Sequence, residues 1–464
     1  MRRLVVGATI GLSACSSSDD PRFGSGSGGV GAQGGTTLGG AGGGAHGGSA
    51  GEYTNGAGGG GTAQGGSGGM SSGGSTPGGS GGGGGGGTSG GTEGGGGTLQ
   101  TCSLALVNQG QLPPPFLGHS RLNSIDVAPS QTGFVIVYRE HAHTGSMQLS
   151  SVPIDDSGGA GTPLNLKLQS CSFTDIYGTA VDFHGDTGVA ATALPDCANT
   201  GPGLAVAGLT PAGLDGSLNI ARYPGTTALR LARHSGLAAI PGTADYELAY
   251  YEQDTQALGK AVVVDANGVK PGAVHTPLFN RAEVSSAQTA RTNQIRAYLG
   301  GRPTGMHFSV VDYDGNQTSS DIEFGSWSSL VAWQDRAAAL VEAANKKTAN
   351  YTVKDSKGAL LAAGSVPTTE LRSGDLTVAG DYLVLLLGHL GRLTIARIPG
   401  VIGNLGSPET SSFTNFGGTP LEPLAGYRVA AAAARGLLLV TWLSHDDPQA
   451  GVNVGGWALL RCGS

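Results

Sequence analysis

The residues best suited to chemistry are histidines and carboxylates in two short polar segments, one near each end of the region from residue 101 onward. They are Glu140, His141 and His143 in the first segment and His445, Asp446 and Asp447 in the second. His141 and His143 would point to one side if their segment continues as a strand, because strand side chains alternate. Imidazole nitrogens and carboxylate oxygens are ligands for divalent metals. We therefore predict that the fold brings the two segments together and that they form a ligand-binding site. The alternative is that both segments are solvent-exposed loop tips without a ligand.

A second candidate is the string Asp312-Tyr313-Asp314-Gly315-Asn316, which partly resembles calcium loops of the kind Asp-x-Asp-x-Asp-Gly. Calcium takes six or more oxygen ligands, and here the glycine occupies the position of the third carboxylate. A hairpin turn explains the same residues. No cofactor is predicted, and a divalent metal stays an open alternative.

Signals for catalysis are weak. The string Gly24-Ser25-Gly26-Ser27-Gly28 matches the letters of a serine elbow, but no strand and helix flank it. Catalytic carboxylate pairs cannot be identified without distances. The tryptophans could line a sugar site, although we expect them to pack between structural units. They are Trp327, Trp333, Trp442 and Trp457. We assign no catalytic residue and favour a binding role over an enzyme.

Short aliphatic and β-branched runs recur along the chain at intervals of roughly 40 to 60 residues, the repeat length of four-stranded propeller blades. The runs are Phe134 to Tyr138, Gly188 to Leu194, Tyr246 to Glu252, Gln294 to Leu299, Arg336 to Val341, Tyr382 to Leu387 and Gly436 to Trp442. No helical stripe of convincing length is present, so the pattern predicts an all-β domain.

Further strands are predicted before and after each run, and several of the later ones end in an Asp-rich turn with glycine. These turns are Asp155-Asp156-Ser157-Gly158, Asp265-Ala266-Asn267-Gly268, Asp312-Tyr313-Asp314-Gly315 and Asp355-Ser356-Lys357-Gly358. Asp and Asn tolerate the left-handed backbone and glycine adopts it without cost. The turns are therefore expected to close the hairpin between a third and a fourth strand.

Seven such units resemble a seven-bladed β-propeller that covers residues 101–464. No WD dipeptide pattern, kelch double glycine or regular tryptophan motif is present, so the resemblance is to the architecture and not to a named family. The fourth strand of the sixth unit is hard to place between Gly400 and Phe416, which leaves six or eight blades as alternatives.

The resemblance to a propeller also suggests how the cysteines pair. A first strand beginning at Ser103 would complete the last blade, which would bring Cys102 to Cys462 at the closure of the ring. Cys171 and Cys197 would then meet in two loops on one face. Four cysteines allow three pairings, and a free thiol or a metal site is the alternative. A bond closing so long a loop would stabilise the fold by about 5 kcal/mol.

The N-terminus has the order of a secretory signal peptide over residues 1–14. Arg2 and Arg3 precede a short apolar run from Leu4 to Ile10. A helix needs about 20 apolar residues to cross a bilayer, so this run is too short for permanent anchoring.

The residues Leu12, Ser13, Ala14 and Cys15 resemble the lipobox of bacterial lipoproteins, which implies that the Cys15 thiol carries a lipid. Two or more acyl chains give stable attachment to a bilayer. Ser16 follows in place of an aspartate retention signal. The resemblance therefore implies the outer membrane as destination, facing the periplasm or the outside.

Residues 15–100 are rich in glycine and almost free of large apolar side chains. About half of the 86 glycines lie there. Such a segment cannot bury enough surface to fold and is expected to be a flexible linker with a span of about 50 Å. The formal net charge of −7 and the lack of basic runs argue against nucleic acid. We predict a monomer whose partners are the lipid bilayer and an envelope protein or polysaccharide; an extracytoplasmic glycoside hydrolase or lyase is the alternative.

Overall fold

A computed structural model of the chain consists of β-strands, turns and loops throughout the part that it describes. That part comprises residues 103–113, 120–142, 146–170, 178–196, 200–224, 226, 228–231, 235–252, 259–273, 276–277, 286–302, 305–322, 327–369, 371–389, 391–416, 419–420, 428–443 and 455–463. Within these ranges no helix is long and apolar enough to cross a membrane. The signal peptide, the lipobox and the glycine-rich linker lie outside them and stay predictions.

The strands form seven antiparallel sheets, here called blades 1 to 7 in chain order. Blade 1 consists of Ser120–Ser130, Gly133–Ala142, Ser146–Asp155 and Leu164–Ser170. Blade 2 consists of Thr179–His184, Thr187–Leu194, Gly203–Thr210 and Asn219–Arg222, with the short strand Gly213–Leu214 beside the third. Blade 3 consists of Leu229–Leu231 and Leu237–Ala239 in the first position, then Tyr246–Glu252 and Gly259–Asp265, then Gly268–Val269 and Thr276–Pro277.

The remaining blades are more regular. Blade 4 consists of Ser286–Arg291, Arg296–Arg302, Gly305–Val311 and Gln317–Ile322, and blade 5 of Ser328–Trp333, Arg336–Glu342, Thr348–Asp355 and Leu360–Pro367. Blade 6 consists of Leu371–Ala379, Tyr382–His389, Arg392–Pro399 and Glu409–Phe413, and blade 7 of Arg428–Ala434, Leu437–Leu443, Gly455–Gly463 and Ser103–Gln111. A separate short pair joins Asn415–Phe416 to Thr419–Pro420.

The first strands of the seven blades contact one another in turn, and the first strand of blade 7 contacts that of blade 1. The blades thus stand around one axis as a seven-bladed β-propeller, which confirms the predicted architecture and blade count.

The hydrophobic core lies between neighbouring blades. In the second strand of blade 1, Phe134 and Ile136 pack against blade 7, whereas Val135 and Val137 pack against blade 2. Both faces of a middle strand are buried in this way, which explains why these strands read as continuous apolar runs. All four tryptophans are buried between blades, as expected.

The ring is closed by the N-terminal strand. Ser103–Gln111 pairs antiparallel with Gly455–Gly463, from Ser103 opposite Gly463 to Gln111 opposite Gly456. This confirms that the strand from Ser103 completes the last blade. Arg435 adds a second link between blades 7 and 1, because its guanidinium donates to Asp156 and to the carbonyl of Ser130.

Carboxylates join the innermost strands. An innermost strand has a sheet neighbour on one side only, so its remaining N–H groups need another acceptor. In three places an aspartate of the preceding blade accepts that bond. The pairs are Val181 N with Asp126 at 3.0 Å, Ala239 N with Asp182 at 2.7 Å and Ala431 N with Asp375 at 2.8 Å. These contacts fix blade 1 to blade 2, blade 2 to blade 3 and blade 6 to blade 7 at the axis.

The Asp-rich turns close the hairpins between third and fourth strands, as predicted. Asp155 Oδ1 accepts hydrogen bonds from Ser157 N and Gly159 N, and Asp355 Oδ1 accepts the equivalent pair. A hydrogen bond from Ser157 Oγ, together with these backbone bonds, lowers the pKa of Asp155 below its usual value. Gly158 has a φ of 79°, the left-handed conformation that glycine was expected to supply.

Three strands differ in detail from the sequence prediction. The strand predicted from Gln294 begins at Arg296, because Asn293 and Gln294 form the turn that Thr292 and Ile295 close. The fourth strand of the sixth unit is Glu409–Phe413. The first strand of blade 3 is divided into two short pieces.

Candidate ligand-binding face

The ring has two faces with different loops. One face carries the turns between first and second strands and between third and fourth strands; we call it the turn face. The other, the loop face, carries the connections between second and third strands and between successive blades. Ser103 lies opposite Gly463 at the turn face, and the predicted ligand-binding residues belong to the loop face.

Of the six residues in the predicted site, only Glu140 has a described side chain. It is fully buried at the loop-face end of blade 1 and accepts a hydrogen bond from Ser150 Oγ. His141 ends the same strand, opposite Met147, and its side chain lies outside the described part. His143, His445, Asp446 and Asp447 also lie outside it. The predicted site therefore stays a prediction.

The cysteine pairing is likewise untested. Cys102, Cys171 and Cys197 lie outside the described residues. Cys462 belongs to the third strand of blade 7, where its backbone is opposite Leu104, and nothing is described of its side chain.

The acidic string at Asp312 forms a hairpin turn. Asp312 accepts hydrogen bonds from Asn316 N at 2.8 Å and from Asn316 Nδ2 at 3.0 Å, so both carboxylate oxygens have protein donors. These bonds lower the pKa of Asp312. Among the described residues, no group of three or more His, Cys, Asp or Glu is placed to hold a metal.

Three loop-face carboxylates, Glu140, Glu252 and Glu342, end the second strands of blades 1, 3 and 5. These blades are not adjacent, and the Glu252 carboxylate accepts a bond from Lys260 Nζ at 2.7 Å. Asp196, in the connection between the second and third strands of blade 2, is a further carboxylate of this face and lies on a blade adjacent to those of Glu140 and Glu252.

The axis of the ring is bridged by Ser235, which follows the first piece of the inner strand of blade 3. Its hydroxyl donates to Leu330 O at 2.6 Å, and its carbonyl accepts from Thr289 N at 2.7 Å. Leu330 lies in blade 5 and Thr289 in blade 4, so one residue of blade 3 links two further inner strands. The bridge therefore joins the inner strands of blades 3, 4 and 5.

Replacing Ser235 by alanine is expected to destabilise the fold by about 1 to 3 kcal/mol, because the hydroxyl that bonds Leu330 is lost. Ser235 has a φ of 54°, a left-handed conformation that glycine adopts without strain. We therefore expect Ser235→Gly to cost about 1 kcal/mol less than Ser235→Ala. Urea unfolding of the three proteins measures both differences. Equal stability of S235A and the wild type would exclude a structural role for the bridge.

The most distinctive loop-face cluster lies where blade 5 meets blade 6. His389 ends the second strand of blade 6 and is 3% exposed. Its Nδ1 lies 2.7 Å from the carbonyl of Thr369, so Nδ1 carries the proton, because a carbonyl can only accept. Burial lowers the pKa of His389, and the adjacent Arg392 lowers it further. The ring is therefore neutral at pH 7, and its Nε2 is a buried acceptor without a hydrogen-bond partner.

Two more buried side chains at this corner have a polar atom without a hydrogen-bond partner, namely Trp327 Nε1 and Thr368 Oγ1. Trp327 packs on blade 6 so closely that a Cβ on Gly374 would lie 2.3 Å from its ring. Gly374 is paired with Leu387, and His389 is the next residue on that face of the strand. The imidazole and the indole thus lie along the same interface between blades 5 and 6. They are separated by one two-residue repeat of the strand, which is roughly 7 Å.

Cations surround this cluster. Arg392 donates from Nη2 to Thr369 Oγ1 at 2.8 Å, and its buried Nε has no hydrogen-bond partner. Arg372, Lys346 and Lys347 are exposed at the same ends of blades 5 and 6. Thr368 N donates to Lys347 O at 2.7 Å, which fixes the lysine segment beside the cluster. In the described part of the chain, no carboxylate lies within 4.0 Å of these four cationic groups.

Sequence reasoning missed this cluster. His389 follows six apolar residues and a glycine, so it looks like the end of a buried strand. Its environment depends on Thr369 and Trp327, and the indole belongs to another blade. Only the lone histidine at the end of the apolar run gave a local signal.

Comparison with known proteins gives a likeness of fold. No protein-family model matches the chain, and no curated protein matches it. The WD40 domain of Toxoplasma gondii coronin is similar over 78% of this chain and 88% of its own, with 11% identity and a TM-score of 0.44. The subtype N10 neuraminidase-like protein of a virus of the little yellow-shouldered bat is similar over 77% of this chain and 99% of its own, with 8% identity and a TM-score of 0.39.

Proposed function

We propose that this chain is a lipid-anchored cell-envelope protein whose propeller binds a polar ligand through its loop face. The observation that carries the binding role is the cluster at blades 5 and 6, where buried polar atoms of Trp327, Thr368 and His389 have no partner among the residues that the structure describes. Buried polar groups are normally hydrogen-bonded, so such atoms point to a bound species.

The anchor is the second part of the proposal and is supported by the lipobox-like sequence Leu12 to Cys15. The N-terminal strand of the propeller begins at Ser103, on the turn face. A linker of the predicted length lets the propeller sample a wide neighbourhood of the outer membrane and raises its effective concentration near surface partners.

Expression of the full chain in a bacterial host with radiolabelled palmitate tests the anchor. We expect the label on the wild type and its recovery with outer membranes, whereas Cys15→Ser is unlabelled and soluble. Ser16→Ala is the matched control and should behave as the wild type. Labelling of the C15S protein, or recovery of the wild type in the soluble fraction, would refute the anchor.

Incubation with a panel of envelope and extracellular polysaccharides separates binding from catalysis. We expect co-sedimentation with one or more insoluble polymers and no new reducing ends. Depolymerisation would establish the enzymatic alternative. Absence of binding to every polymer and to solubilised envelope proteins would contradict the binding role.

A disulfide between Cys102 and Cys462 belongs to the same proposal, as does one between Cys171 and Cys197. The closure of the ring supports the first, since Cys102 immediately precedes the N-terminal strand and that strand pairs with the one that contains Cys462. An exported protein reaches a compartment in which such bonds persist.

A further inference from the structure

The four most exposed large apolar side chains of the described residues all lie at the turn face, on three successive blades. They are Tyr313 in blade 4, Leu360 and Leu361 in blade 5 and Ile402 in blade 6, which are 88%, 62%, 45% and 52% exposed. We propose that these four residues, here called the apolar edge, rest on the surface of the bilayer that holds the anchored chain. The inference rests on the proposed lipid anchor and names the face of the propeller that the membrane contacts.

Two members of the apolar edge lie in turns whose backbone is fixed. Tyr313 follows Asp312, whose carboxylate accepts the bond from Asn316 N that closes the turn. Ile402 N donates to Asp381 Oδ1 at 2.9 Å. These bonds hold both turns in place at the turn face, where their apolar side chains are exposed to solvent.

The three blades are joined at this face by direct contacts. Thr318 Oγ1 of blade 4 donates to Lys357 O in the hairpin of blade 5 at 3.2 Å. Arg336 of blade 5 donates to Val401 O at 2.8 Å, beside Ile402 of blade 6. The hairpin of blade 4 and the turn of blade 6 are therefore both held against blade 5. The four side chains need not touch one another, because a flat bilayer meets every side chain that protrudes on one side.

The charges near the apolar edge indicate how it would bind a bilayer. The turns that carry it hold three aspartates and one lysine, namely Asp312, Asp314, Asp355 and Lys357. Anionic headgroups therefore offer these turns no net attraction, and binding must come from burial of apolar area. Tyrosine suits this position, because its ring is apolar and its hydroxyl stays in the wet interface. Binding of this kind persists in salt and does not increase with anionic lipid.

The anchor makes a weak contact sufficient. Four side chains bury little apolar area, so a free propeller would bind a membrane only weakly. Lipid on Cys15 makes contact with the same bilayer intramolecular, and a linker with a span of about 50 Å gives an effective concentration of about millimolar. The propeller begins at Ser103, also at the turn face. Docking by this face directs the loop face, with its proposed ligand site, away from the bilayer.

The test is hydrogen exchange of the lipidated full chain on phosphatidylcholine vesicles, compared with its unlipidated Cys15→Ser form in buffer. We expect exchange to be slower by roughly threefold or more at the amides of the three turns, because the bilayer covers them. The slowing should persist in about 0.5 M KCl, where exposed charges are screened. It should not increase when anionic lipid is added. The turns are residues 312–316, 357–361 and 401–405.

A double variant with Leu360→Asp and Ile402→Asp should lose the slowing while it keeps the anchor. Leu164→Asp, at the start of the outer strand of blade 1, is the matched control and should retain the slowing. The loop-face amides of residues 345–347 should be unaffected by vesicles in every protein. The buried strand Tyr382–His389 should stay protected throughout, which shows that each variant is folded.

Three results would overturn the proposal: no slowing at the three turns, slowing at residues 345–347 instead, or slowing that survives in the double variant. Slowing in the Cys15→Ser form that rises with protein concentration would assign the apolar edge to a second copy of the chain and would also overturn it. If the wild type does not float with the vesicles, the anchor has failed and the docking fails with it. A wild type that floats without any slowing keeps the anchor and refutes the docking alone.

Discussion

Asp375→Ala is expected to destabilise the propeller by about 4 kcal/mol, because one buried carboxylate joins three blades. Asp375 is 4% exposed; its Oδ1 accepts from Ser329 Oγ at 2.5 Å and its Oδ2 from Ala431 N at 2.8 Å. Oδ1 also accepts from Leu376 N at 2.9 Å. Removal of the carboxylate leaves these donors buried without an acceptor.

The measurement is urea unfolding of wild type and variant. Asp375→Asn keeps one acceptor oxygen but places an amide nitrogen against the remaining donors, so we expect it to be nearly as unstable. Asp314→Ala, which removes an exposed carboxylate from a turn, is the control and should lie within about 0.5 kcal/mol of the wild type. A cost below 1 kcal/mol for D375A would show that these inter-blade bonds do not hold the ring.

The second large effect concerns pH. The pKa of Asp182 is raised to about 6, because burial and, to a smaller extent, the charge of Asp126 outweigh the hydrogen bonds from the backbone N–H groups of Ala239 and Phe183. In the unfolded chain the pKa is about 3.9. Between these values the folded chain holds the proton more tightly than the unfolded chain, so stability falls as the pH rises from about 4 to about 6. The loss is complete near pH 7 and amounts to about 3 kcal/mol.

The comparison of the wild type with Asp182→Asn isolates this contribution, because other titrating groups are common to both. We expect the stability of D182N relative to the wild type to improve by about 3 kcal/mol between pH 4 and pH 7. Asp186→Asn removes the same charge from an exposed turn nearby and measures the effect of net charge. A difference between D182N and wild type that is constant over this range would contradict the assignment.

The sequence predicted the ring because its signals are local. Buried middle strands such as Tyr382–His389 appear as apolar runs, and the turn at Asp155 carries its own hydrogen-bonding residues. The outer strand Glu409–Phe413 was missed because it is polar and partly exposed, so burial imposes little pattern on it.

Features that depend on contacts between blades could not be predicted. Ser235 lies in an unremarkable sequence, yet its bond to Leu330 crosses from blade 3 to blade 5. The cluster around His389 likewise joins residues that are distant in sequence. By contrast, the predicted site with His141 and His445 was inferred from loop composition alone, and it stays a prediction.

Hydrogen exchange of the full chain tests most directly whether the N-terminal strand closes the ring. Ser103–Gln111 is the outermost strand of blade 7 and pairs on one side with Gly455–Gly463, so the amides that face this partner should exchange only with global unfolding, as slowly as the amides of the C-terminal strand. Exchange of every amide of Ser103–Gln111 within seconds would show that the strand is not part of blade 7 and would contradict the closed propeller.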